Sequence, residues 1–212
     1  LDRLTNGGAI GETSVPASPG SVQTEIQALA ALWGETEKNA TAVIAQEKNL
    51  INLGKDVATI DAKNPQLLDI SEQVAALKLQ NATGAREIAA ANQLVMLTQR
   101  IAKNASAMLV GDVINPEVAF LLGKDTNAFR DLLAGLQKGS ESLRLSAAND
   151  ADTKEKLAAL ESAFKDYQGA VGNILGNMQP LVLSKQAGSR IFRESDDLLK
   201  ATDALAEGYQ RD

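Results

Sequence analysis

Cysteine and histidine are both absent from the 212 residues. Without cysteine there is no disulfide framework and no thiol nucleophile, a pattern compatible with the cytosol or the periplasm. Without histidine the chain also lacks the usual general base at neutral pH and the commonest metal ligand. Aromatic residues supply only 3% of the chain, against 44% hydrophobic residues overall. A sheet protein of this size fills its flat surfaces with β-branched and aromatic side chains, whereas this one draws on Ala and Leu, which points to closely packed helices. There is no block of basic residues, and 21 Lys and Arg stand against 27 Asp and Glu. Nucleic acid is therefore not an expected partner, since phosphate binding needs a basic patch. No apolar run reaches the roughly 18 residues that a membrane-spanning helix needs. With no initiator methionine and no signal-peptide layout at Leu1-Asp2-Arg3-Leu4, the chain is expected to be an excised portion of something longer.

What is present is periodic. On a helical wheel of about 100° per residue, Leu94, Leu97, Thr98, Ile101, Ala105, Met108 and Leu109 share one arc, and Gln93, Arg100, Lys103 and Asn104 fall on another. Between them Asn92, Gln99 and Ser106 recur at seven-residue intervals, where a helix in a bundle meets its neighbour's flank. Such a border stripe either contacts a ligand or fixes helix register. Arg100 and Lys103 read either as contacts to an anionic group or as a solvated face, with the solvated face favoured. These six residues, Asn92, Gln93, Gln99, Arg100, Lys103 and Ser106, are the candidate binding or signalling residues. Glu194, Asp196 and Asp197 are spaced unlike a calcium loop and read as solvated surface. No catalytic constellation, metal set or cofactor is implied, so the chain is not expected to be an enzyme.

The chain also repeats itself. Ile26, Leu29, Trp33, Ile60 and Leu67 align with Leu157, Leu160, Phe164, Ile191 and Leu198, every pair 131 positions apart. The segment Leu1 to Gly7 aligns with Leu133 to Gly139 at an offset of 132, which one indel explains. Trp33 and Phe164 are expected as equivalent core anchors. Start and stop signals predict helices over 1–6, from Ser21 to about Ala62, from Pro65 to about Val110 with Gly84 inside, over 117–138 with Pro116 at its first position, from a cap at Asp152 to about Met178, and from Pro180 to Tyr209. No strand is expected. The predicted fold is all-α: two stacked antiparallel helical-bundle modules, the first (1–64) lacking its N-terminal half and the second (65–212) an up-down-up-down four-helix bundle.

Met96-Leu97-Thr98-Gln99-Arg100-Ile101-Ala102-Lys103-Asn104-Ala105 resembles the Met-Leu-Ser-Gln-Arg-x-Ala-Lys helix of the type IV pilus methyl-accepting chemotaxis receptors, the PilJ family. Pro116 to Phe120, Asp125 to Arg130 and the Trp33 and Phe164 helices extend the likeness over essentially the whole chain. The resemblance implies a periplasmic sensory region of a membrane receptor that controls twitching motility, with the pilin subunit or another periplasmic protein, or a small molecule, as partner, and a homodimer in the intact receptor. Nitrate-sensing relatives of this helix carry extra arginines before the Met-Leu pair. Here Gln93 and Val95 stand at those positions, which weakens the case for a small anion. The competing expectation is a structural, adhesion or scaffold bundle in which the stripe only sets register.

Overall fold

The computed structural model describes residues 1–211. The described residues form seven α-helices: α1 (Asp2–Asn6), α2 (Gln23–Ile44), α3 (Glu47–Gln80), α4 (Ala85–Ala107), α5 (Pro116–Lys138), α6 (Ala151–Gly176) and α7 (Met178–Arg211). The all-α expectation holds, with one correction. A small antiparallel hairpin, β1 (Gly8–Ile10) and β2 (Thr13–Val15), follows α1 where no strand was expected. Three residues per strand are too few for a readable alternation of apolar and polar positions.

The chain divides into two compact units, one built from residues 1–47 and 183–211, the other from Lys48–Val182. A boundary at residue 64 therefore falls inside α3, which runs through Pro65. Proline costs a helix its hydrogen bond to the carbonyl four residues back and strains the backbone, yet the buried face of α3 on both sides of Pro65 holds the helix together. The real interruption lies at Ala45 and Gln46, where Gln46 N–H donates to the carbonyl of Val43 in a tightened last turn. A second correction concerns Gly84, which ends the turn 81–84 as the N-cap of α4 and is not an interior helical residue. Ala82 in that turn has φ 48°. Likewise Asp150, not Asp152, caps α6, its carboxylate accepting from Thr153 N–H at 2.8 Å. The start of α5 is as expected, Asn115 accepting from Glu117 N–H at 2.9 Å with Pro116 at the first position.

The unit Lys48–Val182 is a four-helix bundle of α3, α4, α5 and α6 in alternating directions. Its core includes Leu67, Val74, Leu94, Leu97, Ile101, Leu122, Phe129, Leu136, Leu157 and Tyr167. Each such side chain contributes on the order of 1.5–3 kcal/mol by leaving water. Phe129 and Phe164 stack at 4.5 Å between ring centroids, and Tyr167 continues the series at 6.1 Å from Phe164.

The other unit has a much smaller core of Val22, Ile26, Leu29 and Leu205, flanked by Leu4, Leu198 and Ala201. The hydroxyls of Ser18 and Tyr209 are hydrogen bonded within it. Trp33, expected as a core anchor, is 44% exposed, while Phe164 is 3% exposed. The apolar match between the two positions does not extend to their surroundings, because Phe164 has Phe129 and Tyr167 against it and Trp33 lies beyond the small cluster. The 131-residue recurrence does extend to the elements. Helices α3 and α7 are both 34 residues long and start 131 positions apart. Gly7 and Gly139 end α1 and α5 with φ 74° and 82°. Leu4 C=O accepts from Ser18 N–H at 3.0 Å, and Leu136 C=O accepts from Ala148 N–H at 2.9 Å, so the chain after each of these helices folds back in the same way.

Candidate functional site

Helix α4 carries the motif, and its buried face is Ala90, Ala91, Leu94, Leu97, Thr98, Ile101 and Ala105, as the wheel requires. What packing alone does not require is that α4 also makes a polar contact to each of the other three helices of its bundle. Toward α5, Arg100 Nη2 pairs with Asp125 Oδ1 at 3.0 Å, the Asp125 side chain only 3% exposed and that of Arg100 43%. The second carboxylate oxygen of Asp125 is buried without a partner among the described residues. Toward α6, the hydroxyl of Tyr167 donates to the carbonyl of Thr98 at 3.3 Å and lies 3.4 Å from Asn64 Oδ1 on α3. Burial, with the nearby Asp61 carboxylate, pushes the Tyr167 hydroxyl well above the usual phenol range, so it stays a donor. Toward α3, Ser106 Oγ donates to Asp61 Oδ1 at 3.2 Å. Asn64, Thr98 and Tyr167 together place a polar contact among three helices, immediately before the proline of α3.

A second polar cluster lies where the α3–α4 turn meets the α5–α6 connection. Lys78, at the end of α3, is 2% exposed. Glu87 accepts the backbone N–H of Ser146 at 2.9 Å, which pins the connection to the first turn of α4. That hydrogen bond, with lesser help from the Lys78 ammonium, holds the Glu87 carboxyl below its ordinary range. Asp150 is lowered by Thr153, whose backbone N–H donates to its carboxylate, again with help from Lys78.

The six candidate residues do not converge on one point. Arg100 turns to α5 and Ser106 to α3, so the solvated-face expectation for Arg100 is overturned by its buried partner. Asn92 is exposed and donates to its own helix at Ile88 C=O, 3.0 Å, and Gln99 Nε2 lies 3.4 Å from Thr98 Oγ1. Lys103 is exposed with no partner among the described residues. Asn92 lines a groove between α3 and α4 of about 390 Å³. Gln93 lines a different one, of about 220 Å³, with Arg86, Leu132 and Leu143. Asp125, Tyr167 and Asp61 escaped the sequence reading. Asp125 carried a signal: it stands on the stripe of Leu122 and Phe129, where a charge on an apolar face demands a partner. Among the described residues no group of acidic, Cys or His side chains could hold a metal ion, and no helix is long and apolar enough to cross a membrane.

The motif helix α4 is thus tied to each of its three neighbours in the bundle by a polar contact. The chain belongs to the family of type IV pili methyl-accepting chemotaxis transducer N-terminal regions, PilJ, which it matches over residues 78–189. It is similar to the protein PilJ of Pseudomonas aeruginosa, 28% identical over 198 residues that make up 93% of this chain and 29% of that protein. It is also similar to the putative methyl-accepting chemotaxis protein AlkN of Alcanivorax borkumensis, 25% identical over 183 residues, 86% of this chain and 27% of that protein. The chain thus spans less than a third of the length of these curated relatives.

Proposed function

We propose that this chain is the periplasmic ligand- or partner-sensing region of a transmembrane methyl-accepting chemotaxis receptor controlling type IV pilus twitching motility. The observation that carries the reading is the set of contacts made by α4, Arg100 to Asp125, Thr98 to Tyr167 and Ser106 to Asp61, within the stretch that the family match covers in largest part. Packed helices joined by discrete polar contacts shift between distinct arrangements and do not deform continuously. An input that binds two arrangements unequally moves α4 by an ångström or two, and nothing is transmitted by one that binds them equally. The input is the pilin subunit or another periplasmic protein, or a small molecule. The intact receptor is a homodimer, and Asn92, Gln93, Gln99, Arg100, Lys103 and Ser106 bind or relay the signal. The recurrence at 131 positions, in which α3 matches α7, supports reading the chain as the C-terminal part of one helical module followed by a full second one, with no break at residue 64. Family membership favours a receptor role, which is not enzymatic, over a scaffold in which the same contacts only fix register.

The test is a titration of the chain against purified pilin and a panel of small molecules, repeated with Gln99→Ala and Arg100→Ala. Binding that weakens roughly tenfold or more in either variant supports the reading, each tenfold being about 1.4 kcal/mol. Equal affinities for wild type and both variants remove α4 from the input, and no binding by any of them removes the partners named.

A further inference from the structure

We infer that the groove between α5 and α6 binds a small organic monocarboxylate, its carboxylate held between Arg130 and Lys165 and its apolar body lying on Leu133 and Phe164. This adds a site and a ligand class to the sensing function proposed above, and it rests on that reading only for the relay to α4. The groove has a volume of about 390 Å³, at the small end of the roughly 300–1,000 Å³ of small-molecule sites. Its apolar floor is Leu133 of α5 and Phe164 of α6, each 3% exposed. Two further lining residues, Ala134 and Ala158, are exposed and carry only a methyl group, which leaves room beside that floor.

Charge selects the occupant. The two helices run antiparallel, and Gln137 of α5 donates to Leu157 C=O at 3.3 Å and to Glu161 Oε2 at 3.0 Å on α6. Two turns back along α5 stands Arg130 and about two turns on along α6 stands Lys165, so the two cations reach the same level on opposite walls. The contact of Phe129 with Phe164, one residue before each cation, gives the same register. Lys165 has no ion pair or hydrogen bond among the described residues. Arg130 gives Nε and Nη2 to one oxygen of Asp131, at 2.9 Å each, and keeps its other guanidinium N–H groups. That pair is exposed, and exposed pairs contribute little. Like charges facing each other across a groove repel, and an anion between them turns the repulsion into charge-assisted hydrogen bonds. The ligand is limited to one negative charge by Glu161, the one carboxylate among the lining residues, which lies a turn from Lys165 toward Gln137 and repels a second acid group. Phe164 connects the groove to the motif helix. Its ring lies 6.1 Å from that of Tyr167, whose hydroxyl donates to Thr98 C=O on α4 at 3.3 Å.

Hexanoate, hexanamide and adipate are the probes: an acid, its neutral amide and the diacid of equal length. Calorimetric titration is expected to give hexanoate a dissociation constant below about 1 mM that rises with salt, and to show at least tenfold weaker binding of the other two. Lys165→Glu and Arg130→Gln are each expected to weaken hexanoate at least tenfold. Lys124→Glu, a charge reversal at an exposed position of α5 outside the groove, is expected to change its affinity by less than about twofold. Ala134→Leu fills the groove with both cations in place and is expected to weaken hexanoate as well, unchanged helicity confirming that each variant folds. No hexanoate binding up to about 10 mM, equal binding of hexanamide, or an equal loss in Lys124→Glu overturns the site. Adipate binding as tightly as hexanoate overturns the ligand class. The relay is read separately, by a fluorophore on Met96→Cys, a position 45% exposed on α4 in a chain with no other cysteine. Its emission is expected to change as hexanoate saturates. Binding without that change overturns the relay and leaves the site standing, whereas loss of the site leaves a protein partner as the input of the sensing region.

Discussion

Removing the guanidinium of Arg100 leaves Asp125 with a buried carboxylate and nothing to neutralise it. Breaking a buried pair from one side costs about 3–5 kcal/mol, and the half-exposed Arg100 side chain lowers that to about 2–3 kcal/mol. Arg100→Ala is therefore expected to destabilise the chain by that amount in urea unfolding. Arg100→Ala combined with Asp125→Asn is expected to recover part of the loss, because the stranded charge is gone; fully additive losses would show that the two side chains do not interact. The acidic pair at the other polar cluster makes a pH prediction. Glu87 and Asp150 both have folded-state values below their unfolded ones, so the stability they contribute is present above about pH 4 and is lost as pH falls through the lowered folded values. Glu87→Gln is expected to flatten the acid limb of the stability curve measured between about pH 5 and pH 2, and an unchanged limb refutes the role of the Ser146 contact. At this scale the sequence was legible for residues whose partners lie on their own helix. The wheel placed Leu94, Leu97 and Ile101 correctly, but Arg100 and Ser106 have partners 25 and 45 residues away on other helices, and helical periodicity contains nothing about such distances.

Helix ends were legible where side chains make them. Asn115-Pro116 and Gly139 were readable because a cap, a ring-locked φ and a positive φ are each tied to a residue type. The break at Ala45 and Gln46 carries no such residue, and Pro65 carries a breaker that the packed face of α3 overrides. Gly84 was misread because it sits between two apolar periodic runs that look like one. Its position can be tested. In a helix interior Gly→Ala stabilises by about 1 kcal/mol, whereas here a Cβ on Gly84 would come within 2.4 Å of Glu87 Oε2. Gly84→Ala is therefore expected to lower stability by about 1 kcal/mol or more by displacing Glu87 from Ser146 N–H, and the same substitution in a Glu87→Gln background is expected to cost less. A gain in the midpoint of thermal unfolding would mean that the α3–α4 turn is not built as described.

The two compact units differ in what holds them. The bundle of Lys48–Val182 has a continuous apolar core with three stacked aromatic rings, whereas the unit of 1–47 and 183–211 rests on Val22, Ile26, Leu29 and Leu205. The 131-residue repeat was legible because it lives in spacing, but this inequality was not, since Trp33 and Phe164 look alike until their neighbours are known. Local opening free energies follow the buried apolar contacts of a region, so the smaller unit is expected to open without the larger one. Native-state hydrogen exchange reads this directly. Amides in the middle of α2 are expected to exchange faster than those in the middle of α4 and α6 by an order of magnitude or more, and their opening to depend more weakly on denaturant because less surface is exposed. Equal protection and equal denaturant dependence in α2 and α4 would mean that the chain unfolds as one cooperative body, with the four residues of the smaller core held as firmly as Phe129, Phe164 and Tyr167.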